Sequence, residues 1–160
     1  MALLGRTRRL TRHEWRVVLE AAALTPVAAA AVRGLPLPKA VGLLRRVARV
    51  RRASRPIGSG VASLTPDRVA TLVEWVGSVL SARCLVRALV LHAVLSRRGE
   101  PSEVVVGAAP DGPAPGVRGG GLLAHAWVEH QGTVLMGAAA VPYVAVCRLG
   151  GDALEEEALA

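Results

Sequence analysis

One hundred and sixty residues, 52% of them apolar, are enough for one ordinary domain with a real core; three Trp, one Tyr and no Phe make that core aliphatic. A net charge of +8 would suit nucleic acid, but no aromatics are interleaved with the arginines and no helix-turn-helix or stacking motif appears, so nucleic acid is excluded as the expected partner. Two cysteines form neither a disulfide framework nor a metal quartet, so the chain is read as reduced and cytoplasmic, with no metal and no organic cofactor.

The charge is uneven. Residues 1–60 hold thirteen basic residues against two acids, Glu14 and Glu20, while residues 61–160 hold seven arginines against ten acids. The chain therefore divides into a basic helical N-terminal part (1–60), a near-neutral core (61–150) and an acidic tail (151–160). The basic part suits an acidic protein partner or the surface of a membrane, to which the chain would be peripheral. A span is not expected, because Glu20 and Pro26 interrupt the apolar stretch from Val17 to Val32.

Trp15 to Val32 reads as a helix with a break at Thr25-Pro26. Lys39 to Arg52 is amphipathic: Ala40, Leu43, Leu44, Val47 and Ala48 fall on one side, and Arg45, Arg46, Arg49 and Arg52 on the other. That basic face is either solvated or a docking surface. Ala53 to Ser63 is a Ser, Gly and Pro-rich linker. Thr65-Pro66-Asp67 starts the next helix: Thr65 caps it, Pro66 suits its first turn, and Asp67 favours its positive end.

Ser81 is expected to cap a further helix whose first three residues are Ala82, Arg83 and Cys84, and which stops at Gly99. Glu103 to Ala108 is β-branched and reads as a strand. Ala109 to Gly121 is a loop. Leu122 to His130 is a strand, Gln131-Gly132 a tight turn and Thr133 to Ala138 the partner strand, with another at Tyr143 to Arg148. Helices followed by a strand meander argue an α+β fold.

Two residues carry chemistry. A cysteine attacks as its thiolate, and unpaired N–H groups at a helix start favour that anion, so Cys84 is the candidate nucleophile. Its base must be one of four histidines. His92 lies eight residues along the same helix, roughly 12 Å away, which is too far. His13 is in the basic arm. His125 and His130 are five apart on one strand and face opposite sides, with His130 at the solvated hairpin end. His125, between Ala124 and Ala126, is the candidate base. Trp127 shares its face and either walls a substrate groove or covers the sheet.

A cysteine at a helix start followed by a histidine on a later strand is the order of the papain-like and transglutaminase-like arrangement. The stretches CLVRALVLHAVLSRRGEPSEVVVG and AHAWVEHQGTVLMG resemble the transglutaminase-like leader peptidase of lasso-peptide biosynthesis, in the form of the stand-alone protease half of the split B protein. The resemblance covers about Pro66 to Gly137. It implies a cysteine peptidase (a hydrolase) with a transglutaminase-like, papain-like core, an antiparallel sheet and a helical N-terminal part. Its implied task belongs to the maturation of a ribosomally made peptide: it cuts off the leader before a separate macrolactam cyclase closes the core. Cys84 would be nucleophile and His125 base. The implied partners are the precursor peptide, a small leader-recognition protein and the cyclase.

One departure stands out. The family carries an acid on the strand after His-Ala-Trp-Val-Glu, where this chain reads Met136-Gly137-Ala138-Ala139-Ala140. Asp111 in the loop or Asp152 beyond the last strand would have to orient the imidazole, unless a backbone carbonyl does so. The gap leaves open a catalytically weak or dead subunit that binds precursor peptide, and the basic helices leave open a scaffold peripheral to the membrane.

Overall fold

The computed structural model describes residues 10–50, 64–110, 122–138 and 142–150. The basic arm before residue 10, the linker, Asp111, Asp152 and the acidic tail lie outside them.

Among the described residues, four helices precede a four-stranded antiparallel sheet: α1 (Arg12–Gly34), α2 (Leu37–Val50), α3 (Pro66–Val79), α4 (Cys84–Arg98), β1 (Glu103–Pro110), β2 (Leu122–His130), β3 (Thr133–Met136) and β4 (Val144–Leu149). The expected α+β class holds. The sheet order is β3-β2-β1-β4, so β3 and β4 are its edges.

Local chemistry explains most of the boundaries. At the start of α1, the Thr11 hydroxyl accepts from the Glu14 N–H and the Glu14 carboxylate accepts from the Thr11 N–H at 2.7 Å, a reciprocal capping box. Thr65 caps α3 and Pro66 opens it, as its sequence dictates. The expected break at Thr25-Pro26 does not occur: α1 runs through Pro26 to Gly34. The Thr25 hydroxyl donates to the Ala21 carbonyl at 2.8 Å, and the proline ring lies on the exposed side, where its lost hydrogen bond is cheapest.

The start of α4 is also corrected. Ser81 does not cap it; its φ is +51°, in the left-handed region. The Ala82 N–H donates to Gly77 at 2.8 Å and the Ser81 N–H to Ser78 at 3.2 Å, so both residues close the end of α3. This is the Schellman pattern, with serine in the place glycine usually takes. The carbonyls orphaned at the end of α3 outcompete the next helix for these residues. α4 then begins at Cys84, with Arg83 as its cap.

One aliphatic core joins all four helices to one face of the sheet. Leu89, Leu91 and Leu95 of α4 are fully buried in it, with Val17 and Ala21 of α1, Leu44 of α2 and Val69 and Val73 of α3. The basic helical part thus shares its core with the rest. At 23 residues α1 is long and apolar enough to cross a membrane, yet here its stripe from Val17 to Ala31 is buried against other helices. Arg46 is exposed on α2; the side chains of Arg45 and Arg49, and all of Arg52, lie outside what the structure describes.

The sheet contributes Val104, Ala126, Val128, Met136 and Leu149 to this core. Successive residues of a strand face opposite ways, so His125, Trp127 and Glu129 leave β2 on the other face. Their β1 partners are Gly107, Val105 and Glu103.

Candidate active site

Cys84 is the first residue of α4, so its backbone N–H is one of those a helix leaves unpaired. Its side chain is partly buried against the edge of the core, and it forms no disulfide. Arg87, one turn on, donates to the Ala82 carbonyl at 2.7 Å and to the Ser78 hydroxyl at 3.2 Å, tying α4 to the turn before it.

His125 sits on β2 opposite Gly107. Its Nε2 lies 2.8 Å from the carbonyl oxygen of Gly137. A carbonyl only accepts, so Nε2 carries the proton and Nδ1 is the basic nitrogen. The Gly137 carbonyl therefore fixes the orientation of the imidazole. β3 ends at Met136, and a bulge between Val128 and Glu129 shifts the register, pairing Val128 with Met136. Gly137 follows at φ +86°, a conformation glycine adopts readily.

Trp127 and Tyr143 flank the imidazole, with ring centroids 6.4 and 5.2 Å away. Trp127 covers Gly107 so closely that a Cβ there would meet its ring at 2.6 Å. Its indole N–H donates to Glu129 at 2.8 Å. Glu129 also accepts from Arg148 at 2.7 Å, and Arg148 reaches Glu103 at 3.1 Å. The indole hydrogen bond first, then Arg148, holds the Glu129 carboxyl below its ordinary range; Glu129 and Glu103 in turn raise the Arg148 guanidinium. The arginine that pairs with Glu129 is thus on β4.

Two of the other histidines, His92 and His130, have structural partners. His92 is buried, with Nδ1 3.0 Å from the Ser102 hydroxyl. His130 is not solvated as expected: Nδ1 donates to the Pro101 carbonyl, and Nε2 lies 3.9 Å from Glu100. That contact ties the end of β2 to the end of α4. Counting back, His125 is about 16 Å along the strand, and Cys84 is about 21 Å along the helix. The two residues therefore lie toward the same end of the α4–β2 pair.

No hydrogen bond links Cys84 to His125 among the described residues, and the imidazole emerges on the sheet face away from the helical core. Among the described residues no three His, Cys, Asp or Glu side chains form a metal-binding group. Sequence reasoning missed the part of Tyr143, whose only signal was being the single tyrosine, and left the Gly137 carbonyl unnamed.

A family model described as the transglutaminase-like superfamily matches residues 6–148, including Cys84, His125 and both N-terminal helices. No curated protein and no solved structure matches the chain.

Proposed function

The chain belongs to the transglutaminase-like superfamily, and on that premise we propose that it is a cysteine peptidase that removes the leader from a lasso-precursor peptide. The Cys84 thiolate attacks the scissile carbonyl and forms an acyl-thioenzyme. His125, having taken the thiol proton on Nδ1, gives it to the leaving amine. Water, deprotonated by the same nitrogen, then releases the acid and regenerates the thiol. The Cys84 backbone N–H, unpaired at the start of α4, serves the oxyanion. The observation that carries this reading is the hydrogen bond from His125 Nε2 to Gly137, which supplies the orientation that an acid gives elsewhere. The released core passes to a separate cyclase, and a small recognition protein presents the leader.

The reading is tested by incubating the full chain with the precursor and the recognition protein encoded beside it, and following leader and core by mass spectrometry. Cleavage by the parent, with none by Cys84→Ala or His125→Ala at unchanged folding, is the expected result. A covalent acyl adduct on Cys84 should accumulate when His125 is replaced by a weaker base.

One observation favours a second reading: the imidazole faces away from the layer that holds Cys84. A subunit that keeps the fold to bind precursor peptide, without cutting it, would need no contact between them. Tight precursor binding with no cleavage in the complete mixture selects this alternative.

A further inference from the structure

A groove of about 560 Å³ opens between α1 and the turn from α3 into α4. This is within the size range of sites that hold small ligands or short peptide segments. Its apolar walls are Ala22, Pro26, Ala29 and Val32 from α1, with Leu80 and Val86 from the far side. The turn residues Ser81, Ala82 and Arg83 also line it, and the next residue is Cys84.

The groove is charged at its rim. Arg33 of α1 and Arg83 of the turn both line it, and both are exposed. Among the described residues neither makes an ion pair or a side-chain hydrogen bond, and no carboxylate lines the groove. The contrast with neighbouring cations is informative. Arg87 is committed to Ala82 and Ser78, Arg97 and Arg98 to Glu20, and Arg68 to Glu14. At the groove, two arginines flank apolar walls without a partner from the described chain. The wall also offers an acceptor: Pro26 has no N–H for the carbonyl of Ala22 four residues back, and both residues line the groove.

We propose that this groove binds the stretch of precursor peptide next to the cut bond, and that it selects a segment carrying aliphatic side chains and a carboxylate. The aliphatic side chains rest on Pro26, Ala29 and Val86, and the carboxylate is bound between Arg33 and Arg83. A peptide N–H can be taken by the carbonyl of Ala22. This rests on the peptide-processing reading, because the turn that lines the groove runs on into Cys84 at the start of α4. It uses positions outside the Cys84–His125 pair, so binding and cleavage can be tested apart.

The test uses the full chain carrying Cys84→Ala, which cannot turn over its ligand. The probes are three fluorescein-labelled decapeptides of alternating Leu with Asp, Asn or Lys, read by fluorescence anisotropy. The Asp peptide should bind at least tenfold tighter than the Asn peptide at low salt, and the difference should shrink as salt screens the arginines. Arg33→Glu and Arg83→Glu should each erase that preference, and together they should reverse it toward the Lys peptide. Arg33→Lys should keep most of it. Circular dichroism checks folding; if Arg83→Glu disturbs the start of α4, Arg33→Glu and its Lys control decide alone. Equal binding of the three peptides, or a preference unchanged by Arg33→Glu, would overturn the proposal. Selective binding by a chain whose parent never cleaves precursor keeps the groove and removes the peptidase. Cleavage indifferent to both arginines does the reverse.

Discussion

The imidazole of His125 and the carbonyl of Gly137 are joined by a 2.8 Å hydrogen bond, and that bond depends on the backbone of Gly137 at φ +86°. A side chain is excluded there twice over. The conformation is one that non-glycine residues rarely adopt, and a Cβ would lie 3.0 Å from the Ala126 oxygen and from Trp127 Cβ. Gly137→Ala should therefore cost about 1–3 kcal/mol of stability, read as a fall of several degrees in Tm. It should also slow leader cleavage by more than its stability loss explains, because the displaced carbonyl no longer holds Nε2. Gly132→Ala is the control: Gly132 is also at positive φ (+77°), but a Cβ there meets open space. It should lose stability and keep its rate.

The contact of Trp127 with Gly107 predicts a coupled pair. Gly107→Ala drives a methyl into the indole ring and against the Val144 carbonyl at 2.9 Å, so overpacking should cost about 1–3 kcal/mol. Trp127→Leu alone loses ring packing and the hydrogen bond to Glu129. Combined, the two changes should cost less than their sum, since the smaller side chain relieves the clash. Chemical unfolding of the three variants measures this, and strict additivity would mean that the ring has somewhere else to go.

Much of the fold was readable because its signals are local. Thr65-Pro66 starts a helix by its own capping chemistry, and Gln131-Gly132 makes a two-residue turn between strands already patterned for pairing. The errors came where a residue serves a distant element. Ser81 looked like a cap for α4, but the open carbonyls of α3 claimed it. Pro26 looked like a break, but the packing of α1 against α3 and α4 kept the helix whole. At the site, the alternation that groups His125 with Trp127 was legible, whereas which face meets the helices depends on the whole sheet. The Gly137 carbonyl could not be found by residue type, since every residue has one. Its only clue was a glycine where an acid was wanted.

The pair of Glu14 and Arg68 joins the start of α1 to α3, with Arg68 Nε donating to Glu14 at 2.7 Å. The Thr11 N–H first, then Arg68, lowers the Glu14 carboxyl below its ordinary value of 4.5, against a smaller opposing effect of burial. A carboxyl lowered by folding adds stability that is complete above its unfolded pKa and is lost as pH falls through the folded value. Glu14→Gln keeps the acceptor for Thr11 and removes the charge that Arg68 meets. The variant should be less stable than the parent near neutrality, and the gap should close as pH falls below 4.5. Urea midpoints at a series of pH values test this; a gap constant down to the acid limb would mean that the charge contributes nothing.

The last prediction concerns what holds the His125 tautomer during turnover. Asp111 and Asp152 were the sequence's candidates, and both lie outside the described residues. The Gly137 carbonyl already accepts from Nε2, and it does so without a charge. A carboxylate would both orient the ring and stabilise the imidazolium formed when Nδ1 takes the thiol proton; a carbonyl does the first fully and the second weakly. If the carbonyl is the orienting group, Asp111→Asn and Asp152→Asn should each leave leader cleavage within about threefold of the parent, whereas loss of a true triad aspartate costs near ten-thousandfold. A loss of about a hundredfold or more in either variant, with folding intact, would transfer the role to that aspartate.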